Sequence, residues 1–553
     1  MIREAVYSEN YVEYIIDYNG DREALFRYYS ESELNVLDDR YAILYQRKPD
    51  DYMESFSRLE YNLFPKLFGQ MTDEGALEAI GAVSVKQEKI LGLTGKGILL
   101  GIVDTGIDIF NSTFIGEDKR SKIIAAWDQT IETAGETIYD YGREYSMEEI
   151  QAAVDERQRI LTDITGHGTF CTETCISVAE NAEIVCVKLK QAKNNLRDLY
   201  GVPTDVVAYS EADIMTGIGF LLEQQRRLRR PMCIFIGLGS NSGSHTGAGS
   251  LEQYIDSIAQ TKGLAVAVAG GNEGLLGHHY YGTVEDEYDV IELEASPGDS
   301  FTLEIWGPPT NTYSVGIEIP GGEFIDRISP RYDKSVVIRP IFGGGIIYVD
   351  YFLIEDFAKQ ELIMLRFIAP IGGVWKIRVY AAYETEPYFN AWLPINPFVS
   401  PGTKFLKSNP GITLTNPAGS DPAICVCAYD YRNGNLYINN SRGYTADGRV
   451  KPDVLAPGVN IEGTDNSGNT IIRSGTSISA AYGAGCAILM LEWSYEKQGA
   501  RLINGNQIRG YLIRGAIRPG AGSGFPNIRT YPNPEWGYGL LNIYNTFESL
   551  RNV

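Results

Sequence analysis

From residue 96 the chain repeats one pattern: a short uninterrupted apolar run, a glycine or aspartate at its end, then a stretch with helical spacing. "GKGILLGIVDTGID", "AEIVCVKLK", "PMCIFIGLGS" and "LAVAVAGGNEG" are such runs, with "EADIMTGIGFLLEQQRRLRR" and "SLEQYIDSIAQTKG" between them. A strand with one wet face alternates apolar and polar residues; these do not, so both faces must be buried. Strands of that kind separated by helices specify βαβ units and a parallel sheet covered on both sides. Open α/β sheets carry their chemistry at the carboxyl ends of the strands, so the residues closing these runs are the first functional candidates.

Between 284 and 410 the pattern changes to short strands such as "SFTLEIWG", "TYSVGIEI" and "ELIMLRFIA", split by "PGDS", "GPPTN" and "FGGG", with no helix among them. This predicts an inserted β-sandwich or jelly roll. The α/β pattern returns at "AICVCAYD" and ends in a helix over "GTSISAAYGAGCAILMLEWSYEK". At the other end, "YVEYIIDY" and "YAILYQRK" alternate with "DREALFRYYSESEL", the signature of a small α+β unit. The expected segments are 1–70, the α+β unit; 71–283, the first part of the α/β domain; 284–410, the insert; and 411–553, its second part. Local strand pairing leads us to expect the insert to unfold separately from the α/β domain.

The 553 residues carry 48 basic against 71 acidic side chains, a net charge of −23. Such a surface repels phosphate backbones and anionic headgroups, which argues against nucleic-acid and membrane partners. "MIREAVYSENYVEYIIDYNG" has no signal-peptide core, and no run reaches the about 18 apolar residues of a spanning helix, so a cytoplasmic start is expected. Seven cysteines, an odd number set mostly in apolar or small-residue runs, read as reduced and buried.

One serine stands out. In "IIRSGTSISAAYGAG", Ser477 lies where an extended run turns into helix-compatible residues. It is either an ordinary helix cap or a nucleophile, and a nucleophile needs a base, an orienting acid and an oxyanion donor. The chain has four histidines, and His167, in "DITGHGTFCTETC", is placed by flanking glycines at a helix start. Asp104 closes the run "GILLGIVDTG".

"VDTGID", "GHGTF" and "SGTSISAA", in that order, resemble the signature blocks of the subtilisin-like serine proteases, the subtilases. The resemblance implies Asp104 as orienting acid, His167 as general base and Ser477 as nucleophile, on a three-layer α/β fold. "VAVAGGNEG" resembles the family's oxyanion segment and implies Asn272 as side-chain donor beside the Ser477 amide. Segments resembling the substrate-pairing edges imply contacts from Ser210 and Ala212 in "AYSEADIMTGIGFL", and from Gly237, Leu238 and Gly239 in "IFIGLGS". Two departures fall on helix packing: Phe170, Cys171, Thr172 and Glu173 follow "GHGT", and Ala481 replaces a usual proline.

The insert, the short N-terminal unit and the absent signal peptide resemble the Csp-type subtilases of anaerobic spore formers, some of which process a cortex-hydrolase zymogen in germination. That likeness implies a protein or peptide substrate and a cytoplasmic or spore-associated location. It also implies a prodomain at 1–70 that acts as intramolecular chaperone and leaves its tail in the cleft. Self-cleavage is expected between Leu67 and Glu74, best at the Gln70–Met71 bond. The reaction requires no cofactor; a structural calcium ion is an open option, without an EF-hand spacing to mark it. The subfamily also contains pseudoproteases, so a scaffold that binds a partner through the cleft or jelly roll is the alternative reading.

Overall fold

A computed structural model of the chain describes residues 2–30, 33–57, 59–70, 78–87, 91–132, 139–331, 335–341, 345–497, 501–520 and 530–551. At its centre is an eight-stranded sheet. Seven strands are parallel, with Leu99–Asp104 between Met232–Ile236 and Glu183–Lys188, and the antiparallel strand Arg143–Ser146 closes one edge. Each central strand feeds two cores. In Leu264–Ala269, Ala265, Ala267 and Ala269 join one hydrophobic cluster while Leu264, Val266 and Val268 join the other. The alanine face is small because the helix Thr476–Glu492, itself rich in Ala, Gly and Ser, packs directly over it. The absent alternation in the sequence therefore reflects two apolar layers, as expected for a buried parallel sheet.

The N-terminal unit is a three-stranded antiparallel sheet, Tyr11–Asp17, Tyr41–Arg47 and Leu34–Val36, with the helices Ile2–Tyr7 and Arg22–Tyr28. It docks on the α/β domain partly through buried charge. Glu13 pairs with Lys193 at 3.0 Å, and Lys190 pairs with Asp213 at 2.8 Å. The Glu9 carboxylate accepts the backbone N–H groups of Asn194 and Asn195 at the start of the helix Asn194–Tyr200.

The insert is two antiparallel sheets, of six and five strands, face to face around a core that includes Leu303, Ile305, Val315, Ile363, Leu365 and Trp375. Its first strand is His279–Thr283. The six-stranded sheet is buried on its other face too: Trp306, Leu362, Met364 and Trp392 belong to the main core of the α/β domain. Tyr61 donates to Glu304 at 2.8 Å, and Thr302 donates to the Tyr200 carbonyl at 2.8 Å. The sandwich is thus packed against its neighbours and not only on itself. One sheet of the sandwich serves two cores, so the sandwich buttresses both neighbouring units.

Candidate active site

Asp104 is the last residue of its strand and is fully buried. Its Oδ1 accepts from the Thr105 N–H at 2.8 Å and faces His167 Nδ1 at 2.7 Å. His167 opens the helix His167–Val178, after Gly166 turns the chain through a left-handed φ of 76°. Gly168 must also be glycine: a Cβ there would sit 2.3 Å from the Gly106 carbonyl oxygen and 3.3 Å from Asp104 Oδ1. Burial alone would lower the imidazole pKa. The Asp104 carboxylate and the Cys171 sulfur outweigh it and hold His167 well above the ordinary histidine range.

The turn that presents His167 is built by a residue the sequence reading missed, Asp163. Its Oδ1 accepts from the Gly166 N–H at 2.9 Å and from Thr105 Oγ1 at 2.6 Å, and its Oδ2 accepts from the Thr169 N–H and hydroxyl, both at 2.8 Å. An aspartate followed within three residues by Thr-Gly is a turn-and-cap signal that could have found it.

Ser477 is the second residue of the helix Thr476–Glu492 and is fully buried. Its Oγ makes no hydrogen bond. The expected serine–histidine hydrogen bond is therefore not formed, and Cys171 Sγ lies 3.7 Å from Nε2. The reason is helical: Cys171 is four residues after His167, which brings the thiol under the ring. Asn272 is braced from its oxygen end, where Oδ1 accepts from both the N–H and the hydroxyl of Thr476 at 3.1 Å. That leaves the NH2 group as the donor end, next to a helix start whose free N–H groups favour negative charge.

Ahead of these residues lies an unusual three-stranded sheet. The N-terminal unit's last strand, Leu67–Gln70, runs between Tyr209–Ser210 and Leu238–Gly239, antiparallel to both. Leu67 is opposite Ser210, Phe68 opposite Tyr209, Gly69 opposite Gly239 and Gln70 opposite Leu238. Gly237 does not pair but abuts the imidazole, since a Cβ there would lie 3.0 Å from His167 Cε1. The strand thus heads toward His167. Ala212 does not pair either; it is a buried first-turn residue whose N–H is capped by Ser210 Oγ, and Tyr209 takes the pairing position instead. Met71 lies outside the described residues. Leu67 lines a pocket with Tyr200, Val202, Trp392, Leu393 and Phe398, so the insert supplies part of its wall. Among the described residues no three or more His, Cys, Asp or Glu converge as a metal site.

An acid at a strand end, a histidine and a serine at two helix starts, and a peptide strand laid across the front make an arrangement similar to that of the subtilisin-like serine proteases. The subtilase family model matches residues 399–539. The chain is similar to a Csp protease as well. The solved structure of the Clostridium perfringens CspB protease is 28% identical with a TM-score of 0.74, over 86% of this chain and 97% of that one. Among curated proteins, the mouse membrane-bound transcription factor site-1 protease is 28% identical over 144 residues, 25% of this chain and 12% of that protein. Subtilisin-like protease SBT6.1 of Arabidopsis thaliana is 30% identical over 146 residues, 25% of this chain and 13% of that protein. The chain thus aligns with only about an eighth of the length of these relatives. Among the described residues, no helix is long and apolar enough to cross a membrane.

Proposed function

We propose that this chain is a serine endopeptidase whose first substrate is its own Gln70–Met71 bond, and that the N-terminal unit stays docked after the cut. The observation that carries the reading is the Leu67–Gln70 strand, which pairs between Tyr209–Ser210 and Leu238–Gly239 and ends opposite Leu238, next to the glycine that abuts His167.

Asp104 holds His167 with Nδ1 protonated, so Nε2 presents the lone pair. Rotation of Ser477 Oγ onto Nε2 lets the ring take the hydroxyl proton as oxygen bonds to the Gln70 carbonyl carbon. Asn272 Nδ2 and the Ser477 N–H meet the oxyanion. Collapse breaks the C–N bond, the Met71 nitrogen leaves with the proton from Nε2, and water releases the acyl group by the same route. Retention of the cut unit is supported by Glu13, Glu9 and Tyr61, none of whose contacts crosses the cleaved bond. Likeness to the CspB protease supports a second, protein substrate; the resemblance to the Csp-type subtilases extends the proposal to an inactive hydrolase precursor processed in spore germination, in a cytoplasmic or spore-associated setting.

Mass spectrometry of purified wild type and Ser477→Ala tests the reading. Wild type should give two fragments and react with a fluorophosphonate; the variant should remain intact and unlabelled. A cut variant would overturn the nucleophile assignment. A wild type neither cut nor labelled would favour the scaffold reading, in which the thiol beneath Nε2 and the unbonded serine are its resting state. An uncut but active wild type would make the N-terminal unit a permanent domain.

A further inference from the structure

The residue just before the cleft strand is a lysine, and the structure buries it completely. Lys66 Nζ donates to the Tyr61 carbonyl at 3.2 Å and to Asn62 Oδ1 at 3.3 Å, and lies 4.2 Å from the centre of the Tyr61 ring. It faces Glu211 at 4.0 Å; burial pulls its pKa below the ordinary lysine value, and the fields of Glu211, Glu355 and Glu304 oppose that shift and favour the charged form. All three residues are buried, Glu211 at 0% exposure and Glu304 and Glu355 at 3%.

These acids are held in place by donors other than the ammonium group. Glu211 accepts from the backbone N–H of Leu251 at 3.0 Å, Glu304 from the Gly243 N–H at 2.9 Å and Trp306 Nε1 at 3.0 Å, and Glu355 from the Ala358 N–H. Glu211 also holds position 66 by backbone alone: its Oε2 accepts the Lys66 N–H at 2.9 Å, and its own N–H donates to the Lys66 carbonyl at 2.8 Å. Any residue can make that backbone pair; only a cation answers the three carboxylates. A neutral side chain would leave buried negative charge uncompensated, and an acidic one would add to it.

We infer that this cluster is a specificity subsite that selects a basic residue, lysine in this chain, five residues before the cleaved bond. The inference rests on the proposed cleavage after Gln70, which makes Lys66 the fifth residue back. Two of the carboxylates, Glu304 and Glu355, come from the β-sandwich, which makes the insert part of the substrate-reading surface. The ring of Tyr61 adds a cation–π contact that a neutral residue lacks.

The test follows the first cut in the full-length chain, where residue 66 is already in place: the parent, Lys66→Arg, Lys66→Ala and Lys66→Glu are refolded from denaturant, and self-cleavage is followed by mass spectrometry as a first-order rate. The parent should cut at least about tenfold faster than Lys66→Ala, with Lys66→Glu slowest and Lys66→Arg keeping most of the parent rate. Each substitution is also made in the uncut Ser477→Ala chain, where far-UV circular dichroism and resistance to proteolysis should match the parent; a variant that fails to fold there would make Lys66 a folding residue and overturn the subsite. Equal rates for the parent, Lys66→Ala and Lys66→Glu would overturn the subsite and leave the peptidase reading standing. Absence of both cleavage and fluorophosphonate labelling in the parent would overturn the two together.

Discussion

Glu13→Gln is the most direct probe of how the N-terminal unit is held. Glu13 is 4% exposed, accepts from Ser210 Oγ at 3.1 Å, and faces Lys193 at 3.0 Å and Lys190 at 3.8 Å. Burial pushes its carboxyl up, but the two ammonium groups overcome that and keep it below the usual glutamate range. The glutamine preserves shape and hydrogen bonding but leaves Lys190 and Lys193 with one neighbouring buried carboxylate, Asp213, and the carbonyls of Ala5 and Tyr11. Breaking a buried pair from one side costs about 3 kcal/mol at the low end of measured cases. At 1.4 kcal/mol per decade, that raises the population of undocked N-terminal unit by a factor on the order of 100. The assay is limited proteolysis of the uncut Ser477→Ala chain under native conditions, where the rate of cutting within residues 1–60 follows the opening equilibrium. Adding Lys193→Met should recover most of the loss, because it removes the stranded charge. A Glu13→Gln rate within about twofold of the parent would refute the claim that this cluster docks the unit.

Two further outcomes follow from the site. Because His167 must be neutral to act and its pKa is raised, kcat/KM should fall as pH drops through a midpoint above the ordinary value of about 6.5, with full activity only on the alkaline side. Activity that stays level down to about pH 6 would contradict the raised imidazole. Asn272→Ala should lower kcat by roughly 100- to 1,000-fold with KM little changed, in a peptide assay on folded protein, since an oxyanion donor acts only in the transition state.

The parallel sheet was legible in the sequence because a strand buried on both faces has no other way to be written. "LAVAVA" even encodes which side is close-packed, through its alternating alanines. Asp104 and His167 were legible for a related reason: strand ends and glycine-flanked helix starts are local features. What escaped was long-range. Nothing in "PKLFGQ" says that it will lie between Tyr209–Ser210 and Leu238–Gly239, because four residues of strand carry no register until both edges exist. The Glu13–Lys193 and Lys66–Glu211 pairs span 180 and 145 positions, and charged residues read as surface until their partners are known. All seven residues of "FTLEIWG" are buried, but Thr302 and Glu304 make it read as a strand with one wet face. Cys171 beneath the imidazole was within reach, four residues along a helix already expected.

The sandwich grips the N-terminal unit along a seam of its own. Ser335 donates to the Glu54 carbonyl at 3.3 Å, Arg366 donates to the Met53 carbonyl, and Asn62 Nδ2 reaches Glu355 at 2.6 Å. Modularity is thereby lost: the N-terminal unit is fitted to two neighbours, and the two neighbours to it. A unit transplanted from a relative without its own sandwich would meet the right helices and strands on one flank and mismatched partners for Glu54, Met53 and Asn62 on the other. The two pieces flanking the catalytic domain are therefore a matched set, exchangeable between relatives together and not singly, and drift in one of them constrains which changes the other can accept.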